Sequence, residues 1–276
     1  MGVDIFTPFD SDIFLKLHPF KSHITNDFLL HGHEMIISFL LYQVLYSMIS
    51  PLINGAIFGD FYSTKLSKKA KLNFDIHTVS MVQCILSILF ILPMFKHSNW
   101  FENPVFGRTQ YGSFVAACTV GYFIWDLIIC LRHYSLFGPG FLLHAFASLY
   151  VFITTFIYCQ PWIPGFLIFE LSTPFVNINW FISKLPENSI NTKFTLINGL
   201  LLILTFFLVR ILWGFYAAFL LIMEYSNAWN KIDYKFVPFT TISLNIMLNS
   251  LNVYWLSKMI KIAKKKLVVS SKAKEE

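Results

Sequence analysis

Four ionisable side chains lie within long apolar stretches of the sequence, and they are the residues most able to do chemistry: Asp126, His144, Glu170 and Arg210. A charge in the middle of a membrane span costs about 2.5–3.5 kcal/mol on insertion scales, so such a side chain normally faces the interior of a helix bundle. These residues are therefore candidates for catalysis or for ligand binding.

Asp126 and His144 flank a short predicted turn near Ser135 at comparable distances. At 1.5 Å per residue both lie about 9 Å below the ends of their helices, so a tight hairpin places them at one depth. Tyr122 precedes Asp126 by four residues and Ser148 follows His144 by four, so each shares a helix face with its neighbour. A carboxylate beside an imidazole suits acid–base chemistry. The alternative is a buried Asp–His bond that only joins two helices.

Glu170 lies in the stretch LIFELSTPFVNINWF. Pro174 lacks an N–H donor and clashes with the carbonyl of Glu170, so the pattern predicts a broken helix. Irregular backbone at membrane depth is tolerated only where it is buried or lines a cavity, and Asn177 is well placed to satisfy it. Arg210, near the middle of the next apolar run, is the expected counter-ion of Glu170 through two parallel hydrogen bonds. That pair would clamp two helices or contact a ligand.

The composition indicates that these stretches span a membrane. Of 276 residues, 56% are hydrophobic and only 13% are charged, whereas soluble domains are about one quarter charged. A run of about 20 apolar residues crosses the hydrocarbon core. We predict an all-α integral membrane bundle of about seven transmembrane helices, at 35–58, 76–96, 112–131, 139–158, 161–181, 194–224 and 237–260.

The lysines predict the orientation of this bundle. They concentrate between Lys65 and Lys71 and again after the seventh run, and short cytosolic loops are rich in Lys and Arg. We therefore predict an N-terminal lumenal segment at 1–34, a transmembrane domain at 35–260 and a cytosolic basic tail at 261–276.

Lys272 and Lys274 resemble a dilysine retrieval signal of endoplasmic reticulum membrane proteins, which a retrieval coat would contact in the cytosol. A solvated charged tail is the alternative interpretation. Because the net charge of +6 comes mostly from residues flanking the spans, we expect no nucleic-acid partner.

The histidines and cysteines do not predict a metal site. His31 and His33 precede the first span, on the opposite side of the membrane from His77, and two histidines at alternate positions are too few for zinc. The four cysteines show no metal-ligand spacing. We expect no metal and no cofactor.

Several segments together resemble the TLC-domain family of multispanning membrane proteins over about residues 25–265. They are GYFIWDL, the histidine His144 in the following span, FELSTPFVNINWF, HTVSMVQ, CQPWIPGFLIFE and NGLLLILTFFLVRILWG. The resemblance implies a TLC-type bundle of six or seven helices around a lipid-sized cavity. It also implies the endoplasmic reticulum and a role in lipid synthesis, sensing or trafficking.

The same resemblance includes the ceramide synthases, which transfer an acyl group from coenzyme A to a sphingoid amine with an adjacent histidine pair and downstream aspartates. His144 matches one of those histidines, but Ala145 stands beside it. Glu170 does not match the acidic motif of those enzymes. Both departures weaken an assignment as an acyltransferase.

We therefore expect an endoplasmic reticulum protein of lipid homeostasis that binds or senses a lipid or acyl chain in an intramembrane pocket, with no catalytic residue asserted. The alternatives are an acyl-CoA-dependent acyltransferase, with His144 as base or nucleophile oriented by Asp126, and a cargo receptor or translocon-associated protein. The predicted pocket residues are Tyr122, Asp126, His144, Ser148, Glu170, Asn177 and Arg210.

Overall fold

Seven long helices make up most of the described chain. The computed structural model describes residues 15, 18, 24–96, 102–186 and 189–272, with side chains as far as Lys265, and these residues contain no strand. A one-turn helix, Asp27–Leu30, precedes the first long helix. Counted through the short 3₁₀ and π-helical turns that continue them, the long helices are α1 (Gly32–Lys65), α2 (Lys68–Lys96), α3 (Gln110–Arg132), α4 (Tyr134–Thr154), α5 (Gln160–Lys184), α6 (Thr192–Lys231) and α7 (Phe236–Lys272).

Six of these helices, α1 to α6, are long and apolar enough to cross a membrane. The prediction of an all-α membrane bundle is thus confirmed. The seventh predicted run, 237–260, also lies in a helix, since α7 packs against α4 and α6. It is not one of the six because the asparagines on its buried face, such as Asn245 and Asn249, lower its apolar character. Its outer face is apolar in places, since Phe239 is exposed there.

The predicted break in the fifth span is present. α5 contains a helical turn at Ile163–Leu167, a 3₁₀ segment at Ile168–Ser172 and a regular helix at Thr173–Lys184 with Pro174 in its first turn. Proline fits a first turn because the N–H that it lacks has no helical partner there. Glu170 therefore lies in the tighter 3₁₀ segment between two helices.

The hairpin of α3 and α4 turns at His133 and bends again at Gly138. Gly138 has φ +74°, a conformation that side chains with a Cβ rarely adopt. Pro139 follows it, so the regular part of α4 begins where the fourth predicted run begins.

Contacts at one end of the bundle fix which segments lie together. Arg108, before α3, lies 3.4 Å from Asp27 and donates a 2.8 Å hydrogen bond to the carbonyl of Ile157, after α4. Asp233, before α7, donates its backbone N–H to the hydroxyl of Tyr158 at 3.1 Å. The connection between α1 and α2 and the far end of α7 therefore lie at the opposite end.

Candidate functional site

A polar cavity lies inside the bundle where helices α3 to α7 meet. It has a volume of about 50 Å³. Phenylalanines and aliphatic side chains form much of its wall. Its polar lining residues are His144, Ser148, Glu170, Arg210, Asn245, Asn249 and Asn252. Four of these residues were predicted from the sequence, and the three asparagines of α7 were not.

Arg210 reaches the cavity from an irregular turn of α6. The segment Phe207–Leu212 is π-helical, and such turns occur frequently at functional sites. Arg210 is 8% exposed. Its Nε donates to Ser172 Oγ at 2.9 Å and its Nη2 donates to Thr173 Oγ1 at 3.1 Å. The guanidinium is thus anchored on the break in α5.

The predicted two-hydrogen-bond pair between Glu170 and Arg210 is wrong. Both residues line the cavity, but within the described part of the chain no ion pair joins them within 4.0 Å. The 3₁₀ segment presents the hydroxyls of Ser172 and Thr173 to the guanidinium instead. Glu170 forms no hydrogen bond with another described residue. The cavity therefore contains an acidic side chain, Glu170, and a cationic side chain, Arg210, that are not paired with each other.

The predicted contact between Asp126 and His144 is also wrong. No hydrogen bond joins them among the described residues, and Asp126 accepts only a 3.9 Å contact from the thiol of Cys130. The ring of His144 lies edge-on to Trp255 of α7, with centroids 5.7 Å apart. Equal depth in two helices does not fix the direction of a side chain around the helix axis. His144 lines the cavity and Asp126 does not.

Tyr122, like Asp126, does not line the cavity. Its ring packs against aromatic rings between α1 and α3, with centroids 5.1 Å from Tyr42 and 6.0 Å from Trp125. Because Tyr122 and Asp126 are one turn apart, both are displaced from the cavity. These two predicted pocket residues are not brought together with His144.

Asn177 joins two helices and does not line the cavity. Its Oδ1 accepts a hydrogen bond from His77 Nδ1 at 2.8 Å, which fits the Nδ1–H tautomer, and its Nδ2 donates to Ser80 Oγ at 3.1 Å. The ring of His77 stacks on Trp180 at 3.8 Å. Asn177 therefore clamps α5 to α2.

The asparagines of α7 supply polar groups that sequence reasoning missed. Asn249 Nδ2 donates to Asn245 Oδ1 at 3.0 Å. Asn252 is 3% exposed and forms no hydrogen bond with another described residue, although it lines the cavity. The spacing 245, 249, 252 places all three on one helix face, and this was the signal that could have found them.

A second recess is almost wholly apolar and lies between α1, α2 and α3. It has a volume of about 240 Å³ and is lined by Ile37, Leu41 and Leu86 among other residues. Two polar side chains beside it are hydrogen-bonded within the protein, since Tyr42 donates to Gln83 and Gln83 donates to Ser87 at 2.7 Å. This recess therefore suits hydrocarbon.

His31, just before α1, contacts two carboxylates at one end of the bundle. His31 Nδ1 lies 2.7 Å from Glu34 Oε2, and Nε2 of the same ring lies 3.5 Å from Asp27 Oδ1.

Across residues 24–96, 102–186 and 189–265, no three His, Cys, Asp or Glu side chains are grouped so that they could hold a metal ion.

The bundle and its internal polar cavity define a multispanning α-helical membrane protein. Residues 73–261 match the TLC domain family, which is more than half of the chain. The chain belongs to this family, and the resemblance seen in the sequence is confirmed.

Similar proteins occur in fungi and in vertebrates. The chain is 44% identical over 250 residues, 89% of each protein, to Topoisomerase I damage affected protein 4 of Saccharomyces cerevisiae. It is 40% identical to an uncharacterized TLC domain-containing protein of Schizosaccharomyces pombe, over 83% of this chain and 78% of that protein. It is 30% identical to human TLC domain-containing protein 4, over 87% of this chain and 90% of that protein.

Proposed function

We propose that this protein binds or senses a membrane lipid, or its acyl chain, in the internal cavity and thereby acts in lipid homeostasis in the endoplasmic reticulum. The observation that carries the proposal is that two polar residues face the cavity without a hydrogen bond to another described residue: Asn252, which is 3% exposed, and the partly buried Glu170. Buried polar groups in proteins nearly always have a partner. A polar ligand or ordered water would supply it.

The surroundings of the cavity support a lipid as the ligand. A buried polar group without a partner costs about 1–3 kcal/mol, so occupancy by a head group would recover that free energy. Aromatic and aliphatic side chains surround the polar groups, and the apolar recess between α1, α2 and α3 offers a second surface for hydrocarbon. A lipid combines both kinds of chemistry in one molecule.

Mass spectrometry of lipids bound to gently solubilised protein tests this proposal. We expect the wild type to retain a lipid and the Asn252→Leu variant to lose most of it, because leucine has a similar size but cannot hydrogen-bond. Asn227→Leu is the matched control, since Asn227 is exposed near the end of α6. Equal lipid in all three proteins, or none in the wild type, contradicts the proposal.

An acyl-CoA-dependent acyltransferase is the second candidate, because His144 and Glu170 line one cavity and an imidazole can act as a general base. Binding without catalysis is favoured because no carboxylate hydrogen-bonds to His144 in the described part of the chain. Acyl-CoA turnover by the purified wild type, lost in His144→Ala while the fold survives, would establish the enzyme.

The location in the endoplasmic reticulum and the cytosolic side of the basic tail are parts of the same proposal. Lys274 lies outside the described residues, and the side chain of Lys272 is not described either. Replacing both lysines by serine in the full chain tests the proposed contact with a retrieval coat. We expect the variant to leave the endoplasmic reticulum, as seen by fluorescence microscopy, whereas an unchanged location would contradict that contact.

A further inference from the structure

We propose that the internal cavity selects a zwitterionic lipid head group that carries a primary ammonium and a phosphate. This inference rests on the proposed function and names the ligand class of the same site. Arg210 would receive the phosphate, and Glu170 would receive the ammonium.

The separation of Arg210 and Glu170 is the central observation. Both line the cavity, yet no ion pair within 4.0 Å joins them, and Arg210 is held back by Ser172 and Thr173. Ionisable side chains within membrane spans normally pair with one another, because an uncompensated charge is costly there. A ligand with its own positive and negative ends would pair with both side chains at once.

The charge balance of the cavity favours such a ligand over a charged one. Its lining contains one cationic and one acidic side chain. An anionic head group would neutralise Arg210 but leave Glu170 with a repulsive neighbour, and a purely cationic ligand would do the reverse. A zwitterion leaves the site neutral, which matters most at membrane depth, where an uncompensated charge is most costly.

The hydrogen-bond acceptors of the cavity distinguish a primary ammonium from a trimethylammonium. Glu170 has no hydrogen-bond partner among the described residues, nor does the hydroxyl of Ser148 or the amide of Asn252. An ammonium provides three N–H donors to such groups. A trimethylammonium provides none and is larger.

The walls of the cavity provide a way to admit the head group. A volume of about 50 Å³ holds the amine end but not a whole head group, so binding requires widening. The 3₁₀ segment Ile168–Ser172 and the π-helical turn Phe207–Leu212 carry Glu170 and Arg210. Irregular turns within helices often mark hinges, so a small movement of these two segments would enlarge the site.

Competition among three lipids tests the proposal. The full chain is incorporated into nanodiscs that contain equal amounts of phosphatidylethanolamine, phosphatidylcholine and phosphatidylglycerol with identical acyl chains. Native mass spectrometry then measures which lipid stays bound. We expect the wild type to prefer phosphatidylethanolamine by about tenfold, the effect of one hydrogen bond to a charged group. Glu170→Gln should lose this preference and gain phosphatidylglycerol, and Glu224→Gln, on α6 but outside the cavity, should behave as the wild type.

The possible results distinguish the zwitterion proposal from the proposed lipid-binding function. Equal binding of the three lipids by the wild type, or an unchanged preference in Glu170→Gln, overturns the zwitterion proposal while the proposed lipid-binding function stands. Absence of any retained lipid in the wild type overturns the proposed function itself. Arg210→Gln should lose all three phospholipids, and if that variant does not fold, Glu170→Gln alone is decisive.

Discussion

Arg210 and Ser172 join two irregular turns of the bundle, one in α6 and one in α5. Arg210 Nε donates to Ser172 Oγ at 2.9 Å, and Ser172 in turn donates to the carbonyl of Phe169 at 3.0 Å. Ser172 is fully buried, so water does not replace either bond. The relationship couples the π-helical turn of α6 to the 3₁₀ segment of α5, and it sets where the guanidinium stands relative to Glu170.

Substitution of Ser172 by alanine should destabilise the protein by about 1–2 kcal/mol. The magnitude reflects the loss of a hydrogen bond to a charged group, reduced by the modest value of such bonds in membranes. Thermal unfolding in detergent, followed by size-exclusion chromatography, measures the effect. Ser183→Ala is the matched control, because Ser183 is exposed and donates only to a carbonyl of its own helix. Equal stability of the two variants would contradict a role for Ser172 in holding Arg210.

Asp126 and His144 should respond differently to substitution. Since His144 lines the cavity and Asp126 does not, His144→Ala should reduce the amount of retained lipid severalfold, whereas Asp126→Asn should leave it unchanged. Lipid mass spectrometry on both purified variants provides the measurement. A similar loss in both variants would restore the Asp–His pair that the sequence predicted and that the structure does not show.

The sequence predicts the architecture well because apolar length and proline chemistry act locally. Each predicted run from 35–58 to 194–224 overlaps one of the six apolar helices. The break before Thr173 follows from Pro174, whose ring is incompatible with the interior of a regular helix. Neither feature depends on how the helices pack against one another.

The site is predicted less well because it depends on the rotation of each helix. Asp126 and Arg210, the expected partners of His144 and Glu170, lie at suitable depths. Depth, however, does not determine the direction in which a side chain points around its helix axis. Arg210 is directed by a π-helical turn that has no simple sequence signal. The asparagines of α7 did have a periodic signal, but they carry no charge, and the candidate residues were selected mainly among ionisable side chains. Membrane cavities are thus better predicted when uncharged polar residues are included.

His77 should prove to be a structural residue and not a ligand contact. His77→Phe preserves a ring that can stack on Trp180 but removes the hydrogen bond to Asn177, leaving a buried amide oxygen without its partner. We expect a loss of about 1–2 kcal/mol in stability with lipid retention unchanged.

The measurements for His77→Phe are thermal unfolding and lipid mass spectrometry on the same sample. His133→Phe serves as the control, since His133 lies in the turn between α3 and α4 and its side chain forms no hydrogen bond with another described residue. Loss of lipid at unchanged stability would instead place His77 in a ligand site.

Gly121 should be required for the packing of α1 on α3. A Cβ at this position would lie 2.5 Å from the backbone oxygen of Met35 and 2.6 Å from Ser38 Cβ, so the helices would have to move apart. Small residues allow such close approach of helices in membranes, and overpacking costs about 1–3 kcal/mol. Gly121→Ala should therefore lower the unfolding temperature. Gly199→Ala is the matched control, because a Cβ there meets nothing within 4 Å and alanine has the higher helix propensity, so this variant should not lower the unfolding temperature. An equal change in unfolding temperature at both glycines would contradict a role for Gly121 in close packing.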